Sequence, residues 1–248
     1  MNEMMLKGST ALVTGGAKRL GRAIALRLSA EGANVVVHYN SSPDAADALV
    51  DEIKTGGTDA WSIRADFSNP DEYESLIERA TEIAGHPDIL VNNASIFSTG
   101  TIDGMTLEKL NRNIEVNAWV PLVLSRDFAR IAEKGKIVNI LDTRVTDIDN
   151  AHPEYILSKK MLGEVTRMTA IEFAPDITVN AVAPGLILPP PGKDLSYLEN
   201  LAPSIPLKRH GGPDDITDAV LFLLKSEFIT GQVINVDGGR HLEEYKHG

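Results

Sequence analysis

Short apolar runs alternate with longer amphipathic stretches along most of this chain. Runs such as Val35-Val36-Val37 are apolar at successive positions, which buries both faces of a strand, as in a parallel sheet covered by helices. The predicted strands are TALVT (10–14), ANVVVHY (33–39), TDAWSIRAD (58–66), DILVN (88–92), KIVNIL (136–141), ITVNAVA (177–183) and GQVINVDGG (231–239). Their alternation with helical patterns predicts a single α/β domain over 1–248, with a doubly wound parallel sheet of seven strands and helices on both faces.

The amphipathic stretches predict the helices that connect these strands. They cover 20–30, 43–55, 69–83, 106–133 and 152–173. The fourth stretch predicts one long helix, although Asn117 and Pro121 lie inside it. Residues 185–212 are rich in proline and glycine and lack sustained periodicity, so we expect a substrate-binding loop or lid within the domain. A surface insertion without a function is the alternative.

Composition narrows the class of protein. The 248 residues are 43% hydrophobic, as expected of one large domain or two small ones. No cysteine is present, which excludes disulfides and thiolate metal sites, so we expect a reducing, cytoplasmic compartment and no metal. The net charge of −11 argues against a general nucleic-acid surface. The first residues lack a signal-peptide pattern, and no apolar run approaches the ~18 residues of a membrane span, so we expect no membrane partner.

A glycine-containing turn follows the first predicted strand directly. Its sequence is TGGAKRLGR, residues 14–22. Glycines let the backbone approach a ligand, and the N-terminus of the next helix directs unpaired N–H groups towards an anion. In the context of strand, turn and helix, this pattern predicts a dinucleotide phosphate site. Arg19 stands where such a turn usually has glycine, beside the expected pyrophosphate.

The end of the second predicted strand indicates which nicotinamide cofactor is preferred. An NAD enzyme normally has Asp or Glu there to hold the ribose hydroxyls, but the segment 38–43, HYNSSP, contains no acid. A carboxylate would repel a 2′-phosphate, whereas Asn40, Ser41 and Ser42 can hydrogen-bond it and Lys18 can supply charge. We therefore predict NADPH. The alternative is that these polar residues merely cap the following helix.

Tyr155 and Lys159 are the first candidate catalytic pair. They are four residues apart in a helical pattern, which puts both side chains on one helix face. A tyrosine with a pKa of ~10 transfers protons poorly at neutral pH, and a neighbouring ammonium lowers that pKa. The pair alone is more often a solvated helix face. It becomes specific in combination with the glycine turn.

At this point the chain resembles the short-chain dehydrogenase/reductase family over nearly its whole length. The motifs that carry the resemblance are TGGAKRLG, ADFS (65–68), NNAS (92–95), YILSK (155–159) and NAVAPG (180–185). The resemblance implies a Rossmann-type fold with Tyr155 as the proton donor. It also implies that Lys159 lowers the pKa of Tyr155 and binds the nicotinamide ribose, and that Asn117 supports the proton relay.

The resemblance also implies a set of cofactor contacts around the ends of the strands. Asp66 would meet the adenine, and Pro184-Gly185 would flank the nicotinamide. The full set is Gly15, Lys18, Arg19, Leu20, Gly21, His38, Tyr39, Asn40, Ser41, Ser42, Asp66, Phe67, Asn93, Ala94, Ser95, Tyr155, Lys159, Pro184, Gly185 and Leu186.

The fourth catalytic member departs from the family pattern. Most members have a serine about thirteen residues before the tyrosine, where it hydrogen-bonds the substrate carbonyl, and here that position holds Asp142. An ionised carboxylate is a poor donor to a carbonyl oxygen, but it suits a substrate that is protonated at nitrogen. The alternative is that Asp142 simply caps the loop after its strand.

The departures agree with one subgroup, the pteridine reductases and the bacterial dihydromonapterin/dihydrofolate reductases. Those proteins resemble this chain in KRLG, in HY, in NNAS, in Asp142 and in an aromatic residue matching Phe97. The resemblance implies that Phe97 stacks on a pterin and presses it against the nicotinamide. A basic residue of that subgroup is replaced by Ser41. The predicted substrate contacts are Arg19, Ser95, Phe97, Asp142, Tyr155, Leu186 and Leu188.

We therefore predict an NADPH-dependent reductase that converts a 7,8-dihydropterin, with dihydrofolate left open as a substrate, to its tetrahydro form. The predicted catalytic residues are Asp142, Tyr155, Lys159 and Asn117. One alternative is a carbonyl reductase of the same fold, such as a 3-oxoacyl-thioester reductase. The other is a non-catalytic NADP(H) sensor. By analogy with the family we expect a homotetramer assembled through the helices at 106–133 and 151–174.

Overall fold

The computed structural model describes residues 6–146 and 150–242. It forms one seven-stranded sheet with strand order β3-β2-β1-β4-β5-β6-β7, and every neighbouring pair is parallel. The strands are β1 Thr10–Val13, β2 Asn34–Tyr39, β3 Ala60–Arg64, β4 Ile89–Asn92, β5 Gly135–Ile140, β6 Ile177–Pro184 and β7 Val233–Val236. The predicted doubly wound α/β fold, with seven strands in a single domain, is confirmed.

Helices cover both faces of the sheet. They are α1 Arg19–Ala30, α2 Pro43–Thr55, α3 Pro70–Glu74, α4 Leu76–Ala84, α5 Leu107–Ile114, α6 Val120–Ile131, α7 Pro153–Glu172, α8 Leu195–Leu201 and α9 Pro213–Lys225. Helices α1, α2 and α9 pack on one face with Val35 and Val37, while α4 and α6 pack on the other with Val36. The successive apolar positions of β2 are therefore buried on both sides, as predicted.

The stretch 106–133 is helical but not uniform. A π-helical turn, Glu115–Trp119, separates α5 from α6, and the N–H of Val120 donates to the carbonyl of Glu115. Pro121 has no N–H, so an ordinary α-helical turn would leave the carbonyl of Asn117 without a donor. The prediction of one regular helix is corrected here. The wider turn holds Asn117 and is of the kind often found at functional sites.

Two other elements differ from the sequence predictions. The stretch 69–83 divides into α3 and α4 at Ser75. The hydroxyl of Ser75 donates to the carbonyls of Asp71 and Glu72, and so competes with the backbone hydrogen bonds of a continuous helix. The segment 185–212 contains α8 and a small core of its own, in which Leu186, Leu198 and Ile205 are buried. The proline-rich segment, called the cover below after its predicted role, is thus folded instead of irregular.

The topology fixes where a ligand can lie. The strand order reverses between β1 and β4, and parallel sheets bind ligands in the crevice at the carboxyl ends of the strands beside such a reversal. The glycine turn follows β1 and NNAS begins at the end of β4, so both reach this crevice. Within the described ranges, no helix is long and apolar enough to cross a membrane.

Candidate active site

The glycine turn is packed so closely that side chains are excluded. Gly15 has φ +60°, and a Cβ there would lie 3.0 Å from the Cα of Ala94. A Cβ on Gly21 would lie 2.1 Å from the carbonyl oxygen of Gly15. Asn93 fixes the same turn, because its Nδ2 donates to the carbonyl oxygens of Thr14, at 2.9 Å, and Gly15, at 3.2 Å. The segments that follow β1 and β4 therefore meet at the same edge of the sheet.

The start of α1 presents a site for an anion. The first turn carries no acidic residue, and Lys18 precedes it without a side-chain capping bond. The first N–H groups of a helix have no partner within it and attract negative charge. Lys18 and Arg19 are exposed beside them, while Leu20 is half-buried against the core. This donor set fits the phosphates of a dinucleotide.

Arg19 adopts a left-handed backbone conformation, with φ +54°. This explains why glycine is usual at the position, since only glycine takes that conformation without strain. The guanidinium of Arg19 donates to the carbonyl oxygen of Pro189 at 2.7 Å. Arg19 thus connects the glycine turn (residues 14–22), the predicted phosphate turn, to the cover formed by 185–212.

The residues after β2 are free to meet a 2′-phosphate. Ser41 is exposed, and the hydroxyl of Ser42 makes no capping bond to α2 although it occupies the N-cap position. Asn40 is exposed too, with only a long contact of 3.5 Å from its Nδ2 to Asp66. The alternative that these side chains serve mainly to cap α2 is therefore not supported for Ser42. Tyr39 is half-buried against the core.

His38 and Phe67 lie beneath the surface of the site. The His38 side chain is only 2% exposed, and its two ring nitrogens contact the backbone of Gly15 and Ala65. Phe67 is buried and stacks on this imidazole with 4.4 Å between ring centroids. Because both side chains are buried, the predicted contacts of residues 38 and 67 with the cofactor would be made through their backbone.

Asp66 stands at the mouth of β3, next to these rings. Its Oδ1 accepts hydrogen bonds from the backbone N–H of Ser68 at 2.9 Å and from the Ser68 hydroxyl at 2.7 Å. These bonds hold the pKa of Asp66 below its usual value. The carboxylate is therefore fixed and ionised at the end of the crevice where the adenine is expected.

Asp142 uses its two carboxylate oxygens for different tasks. Oδ1 accepts from the backbone N–H of Arg144 at 2.9 Å and so caps the short 3₁₀ turn Thr143–Val145. Oδ2 accepts from the hydroxyl of Tyr155 at 3.0 Å. The loop-capping alternative is correct for one oxygen only. The other oxygen joins the carboxylate to the phenol, as the catalytic prediction requires.

The local environment raises the pKa of Tyr155 well above its ordinary value. Burial is the largest cause, followed by the negative charge of Asp142 and the hydrogen bond to it. The direction is opposite to the expectation that Lys159 lowers this pKa. Lys159 is fully buried, its Nζ donates to the carbonyl oxygen of Ile140 at 2.7 Å, and it lies 5.9 Å from the Tyr155 ring centroid. Burial lowers the pKa of Lys159 to about 8, an effect that Asp142 opposes.

Asn117 stabilises the backbone in front of the catalytic tyrosine. Its Oδ1 accepts from the N–H of Ile96 at 2.9 Å and from the Ser95 hydroxyl at 3.0 Å. Its Nδ2 donates to the carbonyl of Ile96 and to the hydroxyl of Ser158, both at 3.0 Å. The Asn117 amide is fully buried, and these bonds are to 95–96 and Ser158 instead of to Tyr155 or Lys159. We therefore assign its side chain a positioning task.

Phe97 provides an aromatic surface beside the phenol. Its side chain is 45% exposed, and the edge of its ring meets Tyr155 with 4.7 Å between centroids. His152 stacks on it at 4.3 Å, and the guanidinium of Arg144 lies 5.2 Å from the ring centroid. Sequence reasoning missed His152 and Arg144. The only signal was their closeness to Tyr155 and Asp142 along the chain.

The start of the cover packs against the residues that follow β7. A Cβ on Gly185 would lie 2.6 Å from the Cα of Asp237, and Pro184 ends β6 beside it. Leu186 is buried in the core of the cover, so packing within that segment occupies most of its side chain. Leu188 is only partly buried and remains a candidate contact.

Asp237 is a further residue that the sequence did not single out. It accepts hydrogen bonds from the hydroxyl of Thr143, next to Asp142, and from the backbone N–H of Gly239 and His241. These hydrogen bonds hold its pKa low against the opposing effect of burial. The carboxylate thereby joins the end of β7 to the catalytic loop.

Comparison with known proteins gives a consistent family. Residues 15–241 match the family model described as enoyl-(acyl carrier protein) reductase. Versicolorin reductase stcU of Emericella nidulans is 36% identical over 94% of this chain and 96% of its own. The 3-oxoacyl-[acyl-carrier-protein] reductase FabG of Staphylococcus epidermidis is 34% identical over 94% and 99%.

Solved structures add a different kind of relative. FolM alternative dihydrofolate reductase 1 from Brucella canis, complexed with NADP, superposes with a TM-score of 0.92. It is 33% identical, and the match covers 96% of both chains. The sequence relatives are thus named for keto and versicolorin reduction, whereas this structural neighbour is named for dihydrofolate reduction.

Proposed function

The chain belongs to the short-chain dehydrogenase/reductase family, and on that premise we propose that it is an NADPH-dependent reductase of a dihydropterin. The observation that carries the proposal is the bond from the Tyr155 hydroxyl to Asp142, beside the half-exposed ring of Phe97. A carboxylate in place of the family's serine supports a nitrogen heterocycle as substrate. The FolM neighbour supports the same substrate class.

The residues present fit NADP(H). The glycines at 15 and 21 let the turn pack closely against Ala94 and itself, and the start of α1 offers N–H groups without an acidic residue in its first turn. Lys18 and the hydroxyls of Ser41 and Ser42 would hold the 2′-phosphate. When bound, this cofactor supplies the hydride. The NADP complex of the FolM neighbour agrees with the cofactor predicted from the sequence.

Reduction of the C=N bond of a 7,8-dihydropterin requires a hydride at carbon and a proton at nitrogen. Tyr155 keeps its proton at neutral pH, because burial and Asp142 raise its pKa. Asp142 orients the phenol through Oδ2 and would disfavour a phenolate that persists after proton transfer. Lys159, with a pKa of about 8, would be the nearby proton source for Tyr155; its Nζ bonds Ile140 and lies 5.9 Å from the ring centroid, so the proton would return to the phenol indirectly.

Phe97 would hold the flat ring of the substrate. Stacking of a heteroaromatic ring on a half-exposed aromatic side chain adds to the gain from burial. His152 already stacks on the Phe97 ring, so a flat ligand would either displace this imidazole or stack beside it. Arg19, Ser95 and Leu188 would complete the substrate contacts, with the segment 185–212 as the lid.

Carbonyl reduction is the second candidate. It is favoured by the sequence relatives, which are named as versicolorin and 3-oxoacyl-[acyl-carrier-protein] reductases. A non-catalytic NADP(H) sensor is a weaker candidate, because a sensor needs neither the Asp142–Tyr155 bond nor the buried Lys159.

The rates of NADPH oxidation with different substrates separate these candidates. The panel contains dihydrobiopterin, dihydromonapterin, dihydrofolate and an acetoacetyl thioester, each tested with NADPH and with NADH. We expect turnover of a dihydropterin with a clear preference for NADPH. Turnover of the thioester alone would replace the proposal with carbonyl reduction, and NADPH binding without any turnover would support the sensor.

We also propose that the protein is a homotetramer assembled through the helices α5 to α7. Large apolar side chains are exposed along them, including Leu107, Met168 and Ile171, which are 72%, 69% and 81% exposed. Exposed apolar side chains on these helices support the proposal that the helices form an interface.

A further inference from the structure

The imidazole of His38 connects the three segments that surround the proposed adenosine and phosphate site. Its Nδ1 accepts from the backbone N–H of Gly15 at 3.0 Å, and its Nε2 lies 3.0 Å from the carbonyl oxygen of Ala65. Its ring stacks on Phe67 at an interplanar angle of 6°. Residue 38 is itself the last but one of β2. One buried side chain therefore joins the turn after β1, the end of β2 and the loop after β3.

The two backbone partners determine the tautomer of His38. A backbone N–H can only donate, so Nδ1 must be unprotonated to accept from Gly15. A carbonyl oxygen can only accept, so Nε2 must carry the proton that it donates to Ala65. Protonation of Nδ1 would direct two N–H groups at each other. The arrangement requires a neutral imidazole, and burial does lower the pKa of His38 to about 4.

The same residue accepts from the N–H groups of both adjacent glycines, Gly15 and Gly16. The N–H of Gly15 donates to Nδ1, and the N–H of Gly16 donates to the backbone carbonyl of His38 at 2.9 Å. Neither N–H is left for a phosphate. The phosphates of a dinucleotide would therefore be held by the N-terminus of α1 and by Lys18 and Arg19, on a turn whose shape residue 38 sets.

We propose that His38 is a positioning residue for the cofactor: it fixes the left-handed conformation of Gly15 and couples the phosphate turn to the loop that carries Asp66. The inference rests on the proposed binding of NADP(H). It explains the histidine of the HY dipeptide by its bond to Gly15, without direct contact between the imidazole and the 2′-phosphate. The bond to Gly15 is the one that matters for the phosphates, and the bond to Ala65 serves to orient the ring.

Two substitutions separate the two bonds. In His38→Asn the amide group lies where Nδ1 was, so an acceptor for Gly15 is kept and the donor to Ala65 is lost. In His38→Gln the amide lies where Nε2 was, so the donor to Ala65 is kept and Gly15 loses its acceptor. We expect the dissociation constant of NADPH to stay within about threefold of wild type for Asn and to rise about tenfold or more for Gln.

The measurement is a calorimetric or fluorescence titration with NADPH in the absence of substrate, together with the unfolding midpoint of each apo protein. Ser29→Ala is the matched control, because it removes a part-buried side-chain hydrogen bond to Thr58 near the C-terminus of α1, at the opposite end of that helix from the glycine turn. It should lower the unfolding midpoint and leave NADPH affinity unchanged.

The outcomes are distinct. Equal NADPH affinity of the Asn and Gln variants, or affinity that merely follows the unfolding midpoint as a structural role would give, overturns the inference and leaves the proposed function intact. A wild-type protein that binds no NADPH overturns both. If the Gln variant does not fold, ¹⁵N-histidine NMR spectra of the wild type decide. We expect His38 to be the Nε2–H tautomer, with an Nδ1 chemical shift that changes on NADP⁺ binding. An Nδ1–H tautomer would contradict the inference.

Discussion

Asp142 illustrates how much chemistry depends on a single carboxylate. Its position at the end of β5 follows from the sequence, since a polar residue after a buried apolar strand must lie at the mouth of the sheet. The division of labour between Oδ1, which caps the next turn, and Oδ2, which accepts from Tyr155, depends on the path of the chain after the strand. That path is set by contacts such as the Thr143–Asp237 bond, which link residues far apart in the sequence.

Lys159 gives a prediction about stability and pH. Its pKa is about 8 in the folded protein and 10.5 as an ordinary lysine, so between these values the unfolded chain binds more protons than the folded one. The free energy of unfolding therefore gains from this group as the pH rises above 8. The quantity measured is the unfolding free energy of wild type minus that of Lys159→Met, from urea denaturation. We expect this quantity to rise by roughly 2 kcal/mol between pH 8 and pH 10.

The neighbouring residue supplies the control for that experiment. Lys160 is exposed, so Lys160→Met should show no comparable rise of the difference with pH. A difference for Lys159→Met that stays flat, or falls, between pH 8 and pH 10 would contradict a buried lysine with a lowered pKa.

At the scale of elements, the site is held together by contacts between segments that the pattern of the sequence treats separately. The π-helical turn puts Asn117 where it can bond both backbone groups of Ile96, directly before Phe97. Arg19 ties the phosphate turn to Pro189 of the cover. Helical periodicity did not reveal the first, because a single π turn adds only one residue to the spacing between the apolar positions of its flanking helices. It cannot reveal the second either, because the bond ends on a backbone carbonyl.

Substitutions of Arg19 separate the cost of its strained backbone from the gain of its hydrogen bond to Pro189. Arg19→Ala and Arg19→Gly both remove the bond to Pro189, but only glycine relieves the left-handed conformation of residue 19. We expect the glycine variant to be more stable than the alanine variant by about 1 kcal/mol in urea denaturation. Both should show the same several-fold rise in KM for the dihydropterin. An alanine variant as stable as the glycine variant would show that the turn is not strained.

For the whole molecule, the sequence was sufficient for the fold and for the location of the crevice. Strands that are apolar at successive positions and helices of clear periodicity predicted the parallel sheet, and the crevice at its carboxyl edge followed. Helix α9 was not predicted, because its apolar residues form a nearly continuous run from Ala219 to Leu224 instead of a clear stripe. The buried places of His38, Phe67 and Leu186 were missed, since tertiary packing decides whether a polar or apolar side chain at a loop faces the ligand.

The proposed assembly gives a prediction at the same scale. Sedimentation equilibrium should give four times the chain mass of 26.8 kDa. Met168→Glu puts a charge on the exposed apolar face of α7 and should yield smaller species, because burying an unpaired charge in an interface is costly. Leu195→Glu, on the exposed side of the cover, should remain tetrameric. A monomeric wild-type protein would contradict the assembly.

The claim on which the account depends is that Asp142 adapts the site to a nitrogen heterocycle. The most direct test is the ratio of kcat/KM for a dihydropterin to kcat/KM for an acetoacetyl thioester, measured with NADPH for wild type and for Asp142→Ser. We expect wild type to favour the dihydropterin and the serine variant to lose about a hundredfold or more of that activity, which is the range of general acid–base effects, while its thioester activity holds or rises. A wild type that favours the thioester, or a serine variant that keeps full dihydropterin activity, would contradict the claim.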